Sequence, residues 1–522
     1  MPTLLIHLLA PLAQVAPVLE EAADIQSTGP GMTEPYTTAV LLTVLGILIA
    51  FSVIFSRTAD RAGVPIVLLF LVIGVLGGSE GIVGYDFDDY ELAVRLGTIA
   101  LVLILFDGGL NTTIASVRPV LWPSLVLATV GVVLTAAAVA GFSWLVGLPL
   151  PVAILLGSVV SSTDAAAVFA VLRGGRLNLK QKVGRTIELE SCINDPMAVI
   201  LTFGAISFIT AEGELGWRTV LDVPIQLIVG AAVGALVGWV GCVILRRVRL
   251  ATAGLFPILT LALSFMSFGA ATLSNGSGFL AVFATGLVLG NYPSLPYRHA
   301  LTRVHDAFAW LSQVGMFLML GLLVYPSRLL DIGLVGLGVG LFLGIVARPL
   351  VVWACLWPFD YTAKETSYIG WVGLRAAVPI VLATFPVLAG MPGGDRLFHL
   401  VFFIVVVSSI VPGTTLRTVT RWTKMSTPAN PVPPAALEIN SAQHLTGDLV
   451  SYYIEPSLAV SGATLREIDF PAGSAIVLIV RGNELLAARG STRLENGDHV
   501  YVFCRPEDRP LLELLFGSPE DE

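Results

Sequence analysis

Long apolar runs recur along most of this 522-residue chain, and no other feature restricts its fold as strongly. From Tyr36 to residue 418 there are about thirteen of them, measured against the ~20 apolar residues that carry a helix across a bilayer. Inside a bilayer every backbone polar group must be satisfied within the protein, so runs of this kind fold as helices. The fifth is expected at 150–171, the sixth at 186–210, the twelfth at 366–389 and the last at 397–418. Charged residues make up only 13% of the chain, against about 25% in a soluble domain. The fold class is therefore an all-α polytopic membrane protein. Its basic residues form short clusters without the interleaved aromatics of a binding groove, which argues against a nucleic-acid partner. The four cysteines are scattered and form no CxxC pair, so neither a disulfide framework nor a metal centre built on cysteine is indicated.

Loop charge sets the expected orientation. Basic connections, such as the one holding Arg173, Arg176, Lys180, Lys182 and Arg185, alternate with acidic ones, such as Glu80, Asp86, Asp88, Asp89 and Glu91. An odd number of spans then places the N-terminus outside and the C-terminus in the cytoplasm. Residues 1–36 read as a leader that transport does not need. Leu4 to Val18 is apolar but holds Pro11 and Pro17, with no basic residue ahead of it, so it makes a poor signal peptide. The membrane domain is expected over 37–420 and a Pro-rich linker over 421–444. A small α+β cytoplasmic domain is expected over 445–517. In it, Ala475–Val480 and His499–Cys504 read as strands, Asn496-Gly497 as a turn between hairpin arms, and Glu507–Phe516 as a terminal helix.

Polar clusters interrupt three of the apolar runs. They are Ser161-Ser162-Thr163-Asp164, Glu190-Ser191-Cys192-Ile193-Asn194-Asp195-Pro196, and Gly373-Leu374-Arg375. A charge at mid-bilayer costs roughly 2.5–3.5 kcal/mol on insertion scales, so each one marks a candidate functional site. On a helix Ser191 and Asp195 share one face, and Glu190 and Asn194 share the adjacent one. Pro196 has no N–H, which leaves the Cys192 carbonyl without its helical partner. A hard monovalent cation needs several oxygens, and Asp195, Asp164, Ser191 and the Thr163 carbonyl are the candidates. Ser161 and Ser162 read as helix-gluing hydroxyls. Arg375 needs a buried acid, for which Glu190 is the best candidate. Asp107 ends the third run. Divided as six spans, one linking span and six, the chain places the Asp164 run and the Arg375 run at matching positions. Interrupted helices at matching positions in two halves point to the site of an inverted-repeat transporter.

These residues resemble the monovalent cation/proton antiporters of the NhaP type. The resemblance rests on Thr163-Asp164, on Glu190-Ser191 with Asn194-Asp195, on Gly278-Phe279-Leu280-Ala281 through Gly286 to Gly290-Asn291, and on Gly373-Leu374-Arg375. It spans about residues 37 to 420. It implies a homodimer with inverted repeats, with Asp195 as the shared proton and cation site and Thr163, Asp164 and Ser191 completing it. Asn194, Glu190 and Arg375 would support the core, and Asp107 stands where the family carries an acid. Ala376 departs from the pattern, which often has Gly there. The Asn-Asp pair implies exchange of one proton for one cation. The family is not enzymatic, and it implies K+ or Na+ and H+ as partners, a bacterial inner membrane as the location, and no cofactor.

The tail resembles the C-terminal subdomain of the RCK (TrkA-C) potassium-conductance regulators. The match runs from Val460–Leu465 through Gly490-Ser491-Thr492 to Glu495–Val500. No GxGxxG follows a strand, so the nucleotide-binding half that often precedes it is absent. The subdomain implies either a dimer-stabilising appendage or a sensor of a small ligand such as a nucleotide, and its usual company favours potassium. Three other classes compete with an antiporter. A gated channel would need a filter such as TVGYG, which this chain lacks. An ATP-driven pump would need a phosphate loop or phosphorylated-Asp motif, and neither is present. The third is a membrane sensor that transports nothing.

Overall fold

The structure is a computed structural model. It describes residues 36–427 and 447–517 apart from short loop stretches, chiefly 63–65, 175–176 and 211–216. The leader and most of the linker lie outside the described residues. The chain divides into two compact units, one of membrane helices and one holding Cys242–Ile258, Tyr292–Arg303 and the tail.

Every expected span has a helical counterpart. The first half comprises α1 (Tyr36–Ala62), α2 (Ile66–Gly77), α3 (Tyr90–Asn111), α4 (Arg118–Leu145), α5 (Leu150–Val159), α6 (Ala165–Gly174) and α7 (Gln181–Thr210). The linking helix is α8 (Trp217–Arg247). The second half comprises α9 (Leu255–Leu273), α10 (Gly278–Gly290), α11 (Arg298–Leu322), α12 (Pro326–Leu356), α13 (Ala363–Trp371), α14 (Ala377–Leu388) and α15 (Gly394–Trp422). Several helices outrun the apolar stretch that announced them, because the hydropathy signal stops at the edge of the hydrocarbon while the helix does not.

The fifth and twelfth spans are not continuous helices. The first is broken at residues 160–164, between α5 and α6; the second is broken at 372–376, between α13 and α14. In the first break Ser161, Ser162, Thr163 and Asp164 follow one another, and such side chains compete with the helix for its own backbone groups. In the second, Gly373 removes the side chain that would favour a helix. The halves share a second irregularity. A π turn occupies Leu127–Gly131 within α4 and another occupies Leu343–Ala347 within α12. Both lie in the fourth span of their half, as a repeat of one folding unit requires.

Close packing holds the scaffold. A Cβ on Gly286 would lie 2.5 Å from the Phe106 carbonyl oxygen, and one on Gly290 would lie 2.0 Å from that of Leu110. The glycines of the 278–291 motif therefore form a seam where α10 meets α3 backbone to backbone, the usual device for joining helices in lipid. Asn291 locks the seam's end, donating to the Thr112 carbonyl (2.8 Å) and accepting from the Ile114 N–H (2.8 Å). The start of α7 is tied down by a two-stranded ladder. β1 (Asn178–Leu179) pairs antiparallel with β2 (Ser426–Thr427), directly after α15.

The tail carries an antiparallel sheet of β3 (Asp448–Tyr453), β4 (Ala475–Arg481), β5 (Glu484–Ala487) and β6 (Asp498–Cys504), in the order β3-β6-β4-β5. One face buries Val450, Tyr452, Ile479, Val500 and Val502 against Leu512 and Phe516 of the terminal helix α16 (Arg509–Phe516). The two expected strands are present, and two more flank them. The turn differs from the expectation. The hairpin joins β4 to β5 around Gly482 (φ +57), while Asn496-Gly497 only leads into β6, where Gly497 has φ +93. Central β6 pairs on both sides with strands distant in sequence, so no local turn could have revealed its partners.

Candidate functional site

The two breaks meet. The Asp164 N–H donates to the Leu374 carbonyl at 2.8 Å, joining the first break to the second through backbone alone. Asp164 also caps α6, its Oδ1 accepting the Ala167 N–H at 3.1 Å. A carboxylate at a helix N-terminus complements the dipole there. Arg375 serves an opposite helix end. Its Nε donates to the carbonyl of Val160 (3.3 Å), just past the C-terminus of α5, and its Nη1 donates to the Gly373 carbonyl (2.6 Å). Ser409 of α15 fixes the same stretch, donating to the Arg375 carbonyl at 3.0 Å.

α7 runs past this crossing and remains helical on both sides of Pro196. Its Ser191 hydroxyl donates to the Thr163 carbonyl (2.9 Å) and accepts the Ala165 N–H (3.0 Å). One turn on, Asn194 Nδ2 donates to the Thr163 hydroxyl at 2.7 Å. Asn194 is fully buried, and its Oδ1 has no described partner. Asp195 is half-buried and lies near enough to Asp164 for the two carboxylates to repel each other. The expected set of Asp195, Asp164, Thr163 and Ser191 is thus brought to one place. Ser191 and the Thr163 carbonyl are already engaged with each other.

Glu190 does not pair with Arg375. Its partner is Arg348 of α12, whose Nη2 lies 2.6 Å from Oε1 and 2.7 Å from Oε2, with both side chains 3% exposed or less. The reason is local. The Arg375 guanidinium is held by carbonyls at the breaks, while Arg348 follows directly on the π turn 343–347. An extra residue in a turn rotates everything after it by about 100°. Gly373 leaves room for this pair, since a Cβ there would lie 3.0 Å from Arg348 Nε. The sequence contains a signal for Arg348: it is a lone charge inside the apolar run 332–356, as telling as Glu190 or Arg375 in theirs.

No hydrogen bond or ion pair among the described residues joins Asp107 to this cluster. Its carboxylate accepts from Asn111 Nδ2 at 2.9 Å and is repelled by Asp306 of α11. Ser161 bonds back to the Ser158 carbonyl (2.7 Å), as a helix-gluing serine does. Ser162 does not: it is 1% exposed, its hydroxyl makes no hydrogen bond of strict geometry, and the group it acts on is the Asp195 carboxyl.

The chemistry available is that of two repelling carboxylates among hydroxyls and carbonyls, with the Glu190–Arg348 pair next to Arg375. A positive charge or a proton between the carboxylates would relieve that repulsion.

Residues 47–422 match the family model described as sodium/hydrogen exchanger, transmembrane, and residues 449–517 match the TrkA-C domain. The chain is 40% identical over 479 residues to a protein of Shewanella sp. (strain ANA-3) named K(+)/H(+) antiporter NhaP2, covering 91% of this chain and 83% of the relative. It is 38% identical over 490 residues to K(+)/H(+) antiporter NhaP of Alkalimonas amylolytica, covering 92% of this chain and 84% of that one. Among solved structures, the sodium proton antiporter MjNhaP1 of Methanocaldococcus jannaschii at pH 8 superposes with a TM-score of 0.62 at 21% identity. That match covers 73% of this chain and 98% of the other, and it bears on the fold alone.

Proposed function

Because the chain belongs to the sodium/hydrogen exchanger family and ends in a TrkA-C domain, we propose that it exchanges potassium for protons across the membrane, with sodium as a further substrate. The preference for potassium rests on the relatives named K(+)/H(+) antiporters and on the TrkA-C tail. The single observation that carries the mechanism is the crossing of the two breaks beside Asp164 and Asp195.

The exchange needs only competition. A bare carboxylate buried against a second one is costly, and either a proton or a cation relieves that cost. Asp195 therefore holds one or the other, and only the loaded protein rocks between faces, which is alternating access with a single shared site. Asp164, Thr163 and Ser191 shape the site, and Asn194 holds Thr163. Glu190 and Arg348 neutralise each other and so carry no net charge in the cycle. With Asn194 unable to carry a proton, one proton leaves for each cation and the exchange is electroneutral. The basic loops orient the N-terminus outward and the tail to the cytoplasm, where the tail modulates the exchange, with a small ligand such as a nucleotide as a candidate signal. The functional unit is a homodimer. Residues 1–36 serve as a leader outside the transport cycle, and 421–444 as the tether to the tail.

The test is a fluorescent pH-dye assay in everted vesicles with potassium, sodium and lithium chloride in turn, repeated on protein lacking residues 428–522. The proposal expects dequenching with potassium that collapsing the membrane potential leaves unchanged, and an altered response without the tail. Cation flux that ignores the proton gradient would refute it.

A further inference from the structure

Ser162 stands in the middle of the first break, next to a serine that behaves ordinarily. Ser161 returns its hydroxyl to the backbone carbonyl of Ser158 at 2.7 Å, the common fate of serine in a membrane helix. Ser162 is as deeply buried, yet its hydroxyl makes no hydrogen bond of strict geometry to any described group. Leaving such a group unpaired is costly. The hydroxyl instead lies beside the Asp195 carboxyl, close enough to influence it although outside strict hydrogen-bond geometry.

Most other oxygens around Asp195 are committed. The Ser191 hydroxyl bonds both Thr163 and Ala165. The Thr163 hydroxyl accepts from Asn194. Asp164 Oδ1 caps α6. Ser162 is the buried hydroxyl at the crossing that holds nothing else in place.

We propose that Ser162 is a cation-coordinating residue of the exchange site, alternating between two roles. A hydroxyl has one donor and two acceptor lone pairs and turns freely about its C–O bond. With a cation on Asp195, the Ser162 oxygen joins the ligand shell; once the cation has left, the same O–H donates to the bare carboxylate. Holding no fixed partner is what allows both states, whereas the Ser191 hydroxyl keeps its bonds to Thr163 and Ala165. The inference rests on the reading of Asp195 as the exchange carboxylate.

The test compares Ser162→Ala, Ser162→Cys and Ser162→Thr in the full-length protein, each reconstituted into vesicles, with the potassium dependence of exchange measured at fixed pH. Cysteine keeps the size of serine but offers a soft, weak ligand to a hard cation, so it covers the case in which the alanine variant fails to fold. Loss of one ligand bond raises the half-saturating potassium concentration about tenfold. The expected result is this rise in the alanine and cysteine proteins with the maximal rate held within about twofold, recovery in the threonine protein, and a changed order of preference among potassium, sodium and lithium. Unchanged half-saturation for all three cations in either variant overturns the inference, as does a fall in maximal rate alone. Asp195→Asn separates the two levels. If that variant is inactive while the Ser162 variants behave like the parent, only the role of Ser162 falls. If Asp195→Asn exchanges at the parent rate, the underlying reading falls with it.

Discussion

The two breaks share a backbone plan and divide the chemistry between them. Each interrupts the fifth span of its half, 160–164 in one and 372–376 in the other. The first is acidic, and its Asp164 caps the helix that follows. The second is basic, and its Arg375 serves carbonyls of both breaks, Val160 in the first and Gly373 in the second. A repeated fold therefore does not mean a repeated site: one half supplies the oxygens proposed as ligands, and the other supplies the positive charge that makes an opened helix tolerable in a bilayer. The comparison extends to α7, where Glu190 looks away to Arg348 while Ser191, Asn194 and Asp195 look toward the crossing.

This division predicts a graded set of failures. The largest lies on the acidic side, where Asp164→Asn abolishes exchange in vesicles while leaving the purified protein folded by circular dichroism. On the basic side the effect is on folding. Glu190→Gln leaves Arg348 buried without a counter-charge, a loss of about 3–5 kcal/mol, read as a lower melting temperature in detergent. Replacing both partners with apolar residues of similar size should recover most of it. Arg375→Gln removes two charge-assisted bonds worth about 1.5–3 kcal/mol each. It should lower the folded yield more than it changes the half-saturating potassium of the molecules that fold. A smaller loss, about 1–3 kcal/mol of crowding, follows from Gly373→Ala, because its methyl meets Arg348 Nε.

The smallest effect lies outside the bilayer. Glu80, in the connection between α2 and α3, accepts from the Ser327 hydroxyl and its N–H, and these bonds hold its carboxyl below the usual carboxylate range. A lowered value stabilises the fold at and above the ordinary carboxylate range, and the contribution fades as pH falls through the lowered value. Glu80→Gln should therefore lower the detergent melting temperature slightly at neutral pH and not at all in strong acid.

Much of this was legible in the sequence because charge in an apolar run is a loud signal. Asp164, Glu190, Asp195 and Arg375 each announced themselves that way, and matching interruptions foretold the two breaks. Pairing was harder to read. The sequence offers Glu190 two buried arginines, Arg375 and Arg348, and the π turn that aims Arg348 at it leaves no pattern in hydropathy. Ser161 and Ser162 read alike for a related reason: composition cannot tell a serine that bonds its own helix from a neighbour that does not. In the tail, Ala475–Val480 and His499–Cys504 were plain, whereas β3 and β5 are recognisable only through β6 and β4, the neighbours they pair with.

The central claim is that one proton and one cation compete for Asp195. It is tested most directly by measuring the half-saturating potassium concentration of the reconstituted protein across a range of pH. The account predicts that this concentration rises in proportion to proton concentration on the acid side while the maximal rate stays nearly constant, and that Asp195→Asn shows no exchange at any pH. A half-saturating concentration indifferent to pH, or exchange by the Asp195→Asn protein at the parent rate, would contradict it.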